Sequence, residues 1–251
     1  MRRLSIIVVF VISISWTLSG CKKERPAVNQ SGEKVTAPAT QPKIEHAGEI
    51  FGRVLFAGKA PNLPPLDTSS VADCAKHHPG GIPDETVVLN SNGTLKNVFV
   101  YLKDAPAFDG ATVSPAILDQ VNCQYVPHVV GVQVGQELLA KSSDPFLHNL
   151  HVADANPPLN WAFIGVQHRT AHFSSPGFLT VRCDVHPWMK AIVGVFANSY
   201  FAVTDNEGNF RISNVPPGHY TLMAWHERLG ELTQSITVLP DGKVQFDFTY
   251  R

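Results

Sequence analysis

The feature that most constrains this chain is the shortness of its apolar segments, which glycine, proline, asparagine and aspartate interrupt at regular intervals. From residue 48 onward, no long window places apolar residues at the 3.6-residue spacing of an amphipathic helix. Many short apolar runs with regular turn signals are typical of β-sandwiches and barrels. The runs lie at 50–56, 98–102, 129–134, 148–152, 178–183, 191–196, 201–204, 210–212, 220–225, 236–238 and 244–250. The sequence therefore predicts an all-β fold.

Composition agrees with this prediction and excludes one class of function. The 251 residues include 18 Gly and 19 Pro, and only 16% are charged, which favours a turn-rich β protein over a helical bundle. Lys and Arg number 20 against 21 Asp and Glu, for a net charge of -1. A nucleic-acid-binding protein needs a basic surface that displaces counterions from phosphates. We therefore expect no nucleic-acid partner.

The amino terminus is typical of an exported protein. Arg2 and Arg3 precede an apolar stretch at 4–18, which is shorter than the roughly 20 residues of a membrane-spanning helix. This favours a secretory signal over residues 1–21. The stretch ends in Leu18-Ser19-Gly20-Cys21, which resembles a bacterial lipobox and implies that Cys21 becomes a lipidated amino terminus. The alternative is an ordinary signal peptide with an incidental cysteine.

The segment that follows predicts the location of the protein. Residues 22–45 hold several prolines and polar residues and have no hydrophobic periodicity, which is typical of a disordered tether. We expect an extracytoplasmic protein that is lipid-anchored to a bacterial membrane and faces the periplasm or the cell surface. Disulfides persist in such a compartment.

Two segments near the carboxyl terminus resemble the carboxypeptidase regulatory-like family. They are Thr204-Asp205-Asn206-Glu207-Gly208-Asn209-Phe210 and Val215-Pro216-Pro217-Gly218-His219-Tyr220-Thr221-Leu222. Members open with a strand of the kind found at 48–58, which here lies far upstream. The resemblance implies a small, non-catalytic β-sandwich that another domain interrupts. We therefore assign 46–110 together with 199–251 to this sandwich, and 111–198 to the inserted domain.

Two other segments carry the side chains that best suit a metal. One contains His148, and the other has Cys183, His186 and Met189 in the spacing C-x2-H-x2-M. A thiolate, two imidazoles and a weak thioether are the ligands of blue-copper electron-transfer sites. The alternative, a buried and inert cysteine, leaves His186 and Met189 unexplained.

These two segments resemble the cupredoxin family of type 1 copper proteins, of the amicyanin and plastocyanin type, over about 111–198. The resemblance implies that His148, Cys183 and His186 are the equatorial ligands of one type 1 copper ion and that Met189 is its axial ligand. It also implies that Asn149 connects the two ligand segments by hydrogen bonds. The predicted fold is then a cupredoxin-like Greek-key sandwich, inserted in or joined to a second small β-sandwich.

The ligand loop also suggests where electrons enter. We expect His186 to be the electron port, with its imidazole edge presented through an apolar patch that includes Pro187, Trp188 and Phe146. The alternative is that Pro187 and Trp188 pack inward and shield the site.

The two remaining cysteines are Cys74 and Cys123. In an oxidising compartment we expect a disulfide between them. The alternative is a tetrahedral zinc or second copper site that combines Cys74 and Cys123 with His77 and His128.

Three further histidines could be considered as metal ligands. His168 and His172, four residues apart, would share a strand face and could hold a second metal, but surface histidines are the simpler interpretation. We expect His151 to lie near the copper site without binding the metal.

Together these patterns predict a membrane-anchored type 1 copper protein that is not an enzyme and carries single electrons between redox protein partners. One alternative is a copper-binding module for storage, delivery or sensing, although such sites usually use several methionines and the chain has only 3. A second alternative is a surface-binding or adhesion sandwich that uses Trp161 and Trp225.

Overall fold

The computed structural model describes residues 44–106 and 114–251, which form seventeen β-strands and one short helix. The helix, α1, spans Ala72–His77. The strands in chain order are β1 (Gly48–Phe56), β2 (Phe99–Leu102), β3 (Ala116–Val121), β4 (Gln124–Val126), β5 (Val129–Gln133), β6 (Glu137–Ser142), β7 (Leu147–Val152), β8 (Leu159–Ile164), β9 (Gln167–His172), β10 (Gly177–Arg182), β11 (Lys190–Phe196), β12 (Phe201–Val203), β13 (Asn209–Val215), β14 (Gly218–His226), β15 (Gly230–Val238), β16 (Lys243–Gln245) and β17 (Phe248–Tyr250). The prediction of an all-β fold is confirmed.

Two sheets from the middle of the chain form a first sandwich. One sheet has the order β5-β11-β10-β7-β8, and the other has the order β4-β3-β6-β9. Alternate residues of these strands point inward, and Leu118, Leu138, Leu150, Phe163 and Val193 are buried in one shared core. Burial of alternate positions is what two sheets packed face to face require.

The remaining strands form a second sandwich around a separate core. β1 lies between β13 and β16 and also pairs with β17, while the facing sheet has the order β12-β2-β14-β15. Ile50, Leu102, Ile212 and Leu222 are buried between the two sheets. Because β1 pairs with strands from the last third of the chain, the strands of the first sandwich are inserted in sequence between those of the second.

An aromatic cluster joins the outer faces of the two sandwiches. Phe99 of β2 and Phe196 of β11 are buried in it, with ring centroids 5.6 Å apart. Trp225 stacks on Phe178 with centroids 3.9 Å apart, so its ring is occupied by packing. Two glycines permit this close approach, since an added Cβ would come within 2.9 Å of the Phe99 ring at Gly194 and within 2.5 Å of the Phe201 ring at Gly131.

Several strands were not expected from the sequence, because polar residues dilute their alternation. They include β3, β6, β8 and β9, and α1 lies in a stretch with the composition of a loop. The predicted signal peptide, all but two residues of the predicted tether, and the predicted domain boundary at 110–111 lie outside the described residues. None of the helices in the described part of the chain has the length and apolarity to cross a membrane.

A buried histidine makes the stability of the fold depend on pH. His226, at the end of β14, is 1% exposed, and its Nδ1 accepts a hydrogen bond from the Arg228 backbone N–H. Burial lowers its pKa from 6.5 to about 4, an effect that nearby Glu227 partly opposes. Between these two pH values His226 binds a proton in the unfolded chain but not in the folded chain.

We therefore expect the free energy of unfolding to fall as the pH is lowered from 6.5 to 4, with His226 contributing up to about 1.4 kcal/mol per pH unit. Replacing this side chain, His226→Gln, should flatten the dependence. Urea unfolding of the metal-free protein at a series of pH values measures it. His219→Gln, which changes an exposed histidine of the same strand, is the matched control. Parallel curves for wild type and His226→Gln would contradict the prediction.

Candidate metal centre

Three donor side chains converge at one end of the first sandwich. His148 is the second residue of β7, while Cys183 and His186 lie in the loop between β10 and β11. One donor atom from each lies within 4.8 Å of the other two. The Nδ1 atoms of His148 and His186 are 3.0 Å apart, and the His186 Nδ1 lies 3.5 Å from the Cys183 Sγ. The two segments selected from the sequence therefore meet in space.

The loop between β10 and β11 closes on itself and so brings Met189 to the same end of the sandwich. The Cys183 backbone N–H donates to the Met189 carbonyl over 3.2 Å, and the Met189 N–H donates to the His186 carbonyl over 2.9 Å. Met189 is 2% exposed and belongs to the same hydrophobic core as Cys183. The compact C-x2-H-x2-M spacing thus places all three loop side chains on the inner side of the loop.

The structure places Asn149 between the two ligand segments. Its backbone N–H points at the Cys183 Sγ over 3.4 Å. Its side-chain oxygen accepts the Asp184 backbone N–H over 2.5 Å, and its amide donates to the Asp184 carboxylate over 2.9 Å. These contacts fix the position of the sulfur relative to β7.

Two residues that orient the site were missed in the sequence. The carboxylate of Asp144 accepts the His148 Nε2–H over 2.8 Å, which leaves the lone pair of Nδ1 facing the other donors. The Tyr125 hydroxyl lies 2.5 Å from the Asn149 carbonyl and 3.0 Å from the Arg182 carbonyl, so it joins the two ligand strands. The position of Asp144, four residues before His148, is a signal that could have been used, whereas Tyr125 is remote in sequence and gave none.

Burial keeps both imidazoles neutral. His148 is fully buried, and desolvation lowers its pKa although the Asp144 carboxylate opposes the shift. Burial and then the neighbouring His148 lower the pKa of His186 to about 4. Neutral imidazoles are the form that binds metals. A neutral imidazole keeps one lone pair, so each ring can offer one nitrogen to a metal at neutral pH without first losing a charge.

Cys74 and Cys123 are joined in a disulfide with a Cα–Cα distance of 5.8 Å. The alternative site with His77 and His128 is not assembled, since the only metal-suited groups of the described residues are Cys74–Cys123–His186 and His148–Cys183–His186. His128 instead pairs with the buried carboxylate of Glu227.

The prediction that His186 presents an imidazole edge at the surface is wrong. His186 is 1% exposed, because the disulfide and its surrounding segment cover it. Phe146 and Trp188 are half-buried against this disulfide, and the Trp188 Nε1–H donates to the Cys123 carbonyl over 3.0 Å. Only Pro187 of the expected patch is exposed. The inward packing of Trp188 leaves the imidazole shielded.

Three other histidines considered in the sequence analysis lie outside the donor cluster. His151 donates from Nδ1 to the Asp184 carboxylate over 2.9 Å and is not among the grouped donors of the described residues. This bond is the largest cause of the lowered pKa of Asp184. His168 and His172 lie on the exposed face of β9.

Residues 187–251 match the carboxypeptidase regulatory-like domain. The match begins inside the ligand loop and includes β11, which pairs with strands of the first sandwich. A comparison with curated proteins finds no match.

Among solved structures, the chain is similar to cupredoxins. An amicyanin variant in the Cu(I) form is 21% identical, covering 38% of this chain and 97% of that one, with a TM-score of 0.31. A purple cupredoxin from Nitrosopumilus maritimus is 20% identical over 32% of this chain and 98% of that one, with a TM-score of 0.29. A copper-containing nitrite reductase from Thermus scotoductus SA-01 is 21% identical over 37% of this chain, with a TM-score of 0.30, and the match spans only 25% of the reductase.

The disulfide and the free thiol can be checked directly. We expect iodoacetamide, applied to the denatured metal-free protein, to label Cys183, while the peptides of Cys74 and Cys123 stay linked until a reductant is added. Peptide mass mapping before and after reduction measures this. Labelling of Cys74 and Cys123 without reductant would show that the bridge is not formed.

Proposed function

We propose that the protein is a membrane-anchored, extracytoplasmic type 1 copper protein that carries single electrons between redox protein partners. The observation that carries the proposal is the convergence of the His148 and His186 Nδ1 atoms on the Cys183 Sγ within one buried cluster. The carboxypeptidase regulatory-like part would serve as the non-catalytic scaffold.

The donor set favours copper over the other common metals. Structural zinc sites use thiolates and imidazoles in closed tetrahedral sets, whereas two imidazoles, one thiolate and a weak thioether suit copper in electron transfer. The residues fit the ion, since burial lowers the pKa of both imidazoles, the thiol is buried, and Met189 is buried in the same core as Cys183. The bound ion would supply one-electron cycling between Cu(I) and Cu(II).

The protein would supply a rigid and dry ligand set. Asp144 holds the His148 ring, Asn149 holds the Cys183 sulfur, and Tyr125 joins their strands. A site whose ligands are held in place by outer hydrogen bonds reorganises little when its charge changes. This rigidity suits electron transfer.

Burial supports a carrier over an enzyme. His148, Cys183 and His186 are 0%, 3% and 1% exposed, so a substrate has no direct approach to the donor atoms. A cavity of about 170 Å³ beside the ligand loop is lined by Trp188 and Met189 but by none of these three residues. Electrons, unlike substrates, can cross the few ångströms of protein that cover the site.

The location outside the cytoplasm is supported by the amino-terminal pattern of Arg2, Arg3 and the lipobox-like Cys21. The disulfide between Cys74 and Cys123 agrees with an oxidising compartment.

Loading with Cu(II) should produce an intense thiolate-to-copper charge-transfer band and a narrow copper hyperfine splitting. Cys183→Ser should abolish the band and keep the β-sheet signal in circular dichroism, because the core does not depend on one sulfur. Visible and electron paramagnetic resonance spectra measure both.

His151→Gln is the matched control for this experiment, because His151 touches the ligand loop only through Asp184. It should keep the band. A colourless loaded protein, or a spectrum typical of square-planar copper, would contradict the assignment.

Removing the charge that orients His148 should weaken metal binding. Asp144→Asn should lower copper affinity about 10- to 100-fold, because the amide is a poorer acceptor for the His148 Nε2–H. Competition with a chromophoric chelator measures the affinity.

Asp119→Asn is the matched control, since Asp119 pairs with Lys141 and does not touch the ligands. Equal affinities for the Asp144→Asn and Asp119→Asn proteins would show that Asp144 does not position the ligand.

A further inference from the structure

A second group of soft donors lies directly against the first. The Sγ atoms of Cys74 and Cys123 and one ring nitrogen of His186 lie within 4.8 Å of one another, and all three residues are buried. His186 therefore belongs to two clusters, with Cys183 and His148 in one and the disulfide in the other.

We propose that Cys74 and Cys123, once reduced, form with His186 a second site that binds Cu(I), so that the disulfide is a redox-controlled metal site. The inference goes beyond the proposed electron-carrier function and needs none of its ligands except His186.

The chemistry balances with a dithiol as reductant. Two electrons and two protons from the dithiol cleave the S–S bond and leave two thiols, while the reductant becomes a disulfide. Binding of one Cu(I) releases the two thiol protons, because thiolates are the ligands. When the first site is also filled, the His186 ring bridges the two ions and releases its N–H proton as well. Two thiolates and an imidazole are donors that prefer Cu(I) over hard cations.

The backbone around the two sulfurs is held by contacts that do not involve the S–S bond. The Cys123 N–H donates to the Asp144 carboxylate over 2.9 Å. Cys74 lies in α1, and its carbonyl accepts the His78 N–H. His78 Nε2 also bonds the Asn122 carbonyl over 2.7 Å. These contacts connect the two cysteine segments, so we expect both thiols to stay near His186 after reduction.

A cavity lies beside the disulfide, separated from it by three side chains. Leu66, Ile82 and Trp188 pack against the disulfide and also line the cavity of about 170 Å³ beside the ligand loop. Movement of these side chains would connect the sulfurs to solvent. A thiol reductant and a Cu(I) donor would therefore approach from this side.

Anaerobic Cu(I) titration against bicinchoninate, with the oxidised protein and with the protein reduced by a dithiol and then desalted, tests the proposal. We expect one Cu(I) per chain in the oxidised protein and two in the reduced protein. Cys74→Ser should bind one in either state. Cu(I) should also protect Cys74 and Cys123 of the reduced protein from iodoacetamide, as seen by peptide mapping.

The Cys183→Ser protein separates this proposal from the proposed function. It should bind no Cu(I) when oxidised and one when reduced. Failure of the electron-carrier assignment would appear as a missing blue band in the oxidised wild type, whereas failure here would appear as no gain of Cu(I) on reduction. Loss of β-structure on reduction, before metal is added, would also overturn the proposal, since the site would then not be held in place.

Discussion

The buried carboxylate of Asp144 is the contact on which the arrangement of the site depends. A charge that is 5% exposed must find donors within the protein, and Asp144 accepts the N–H groups of Asn122 and Cys123 together with the His148 Nε2–H. One side chain therefore fixes the turn that carries the disulfide and the ring that faces the other ligands. The first ligand and the cover of the site are positioned together.

The ligand loop is equally fixed from its other side, by a strand that packs on both faces. In β11, Ala191 and Val193 point into the first core, while Ile192 and Phe196 point into the aromatic cluster that joins the sandwiches. A strand packed on both faces restricts the backbone at its first residue, Lys190, and at Met189 just before it. The second sandwich thus contributes to the rigidity of a site whose donor atoms all lie in the first.

The sequence was informative where a pattern is local. Cys183, His186 and Met189 share one short loop, and their spacing alone placed them together; the alternation of apolar residues likewise indicated β-structure. It was uninformative where a contact joins distant segments, as with Tyr125, which bridges the carbonyls of Asn149 and Arg182. The burial of His186 could not be predicted for the same reason. The covering segment has a loop-like composition, and its position is fixed by Cys123, 49 residues further along the chain.

Under the proposed function, the cover over His186 would change how a redox partner exchanges electrons with the site. In a site with an exposed imidazole a partner could touch the ligand edge, but here Phe146, Trp188 and the disulfide lie between the ring and solvent. Of these covering groups, Trp188 also lines the cavity beside the ligand loop, so exchange through its ring would reach that cavity. The same packing that buries the donor side chains would lengthen the path to a redox partner. Under the proposed function, protection of the site and speed of electron exchange would therefore be opposed, and the disulfide belongs to the cover that affects both.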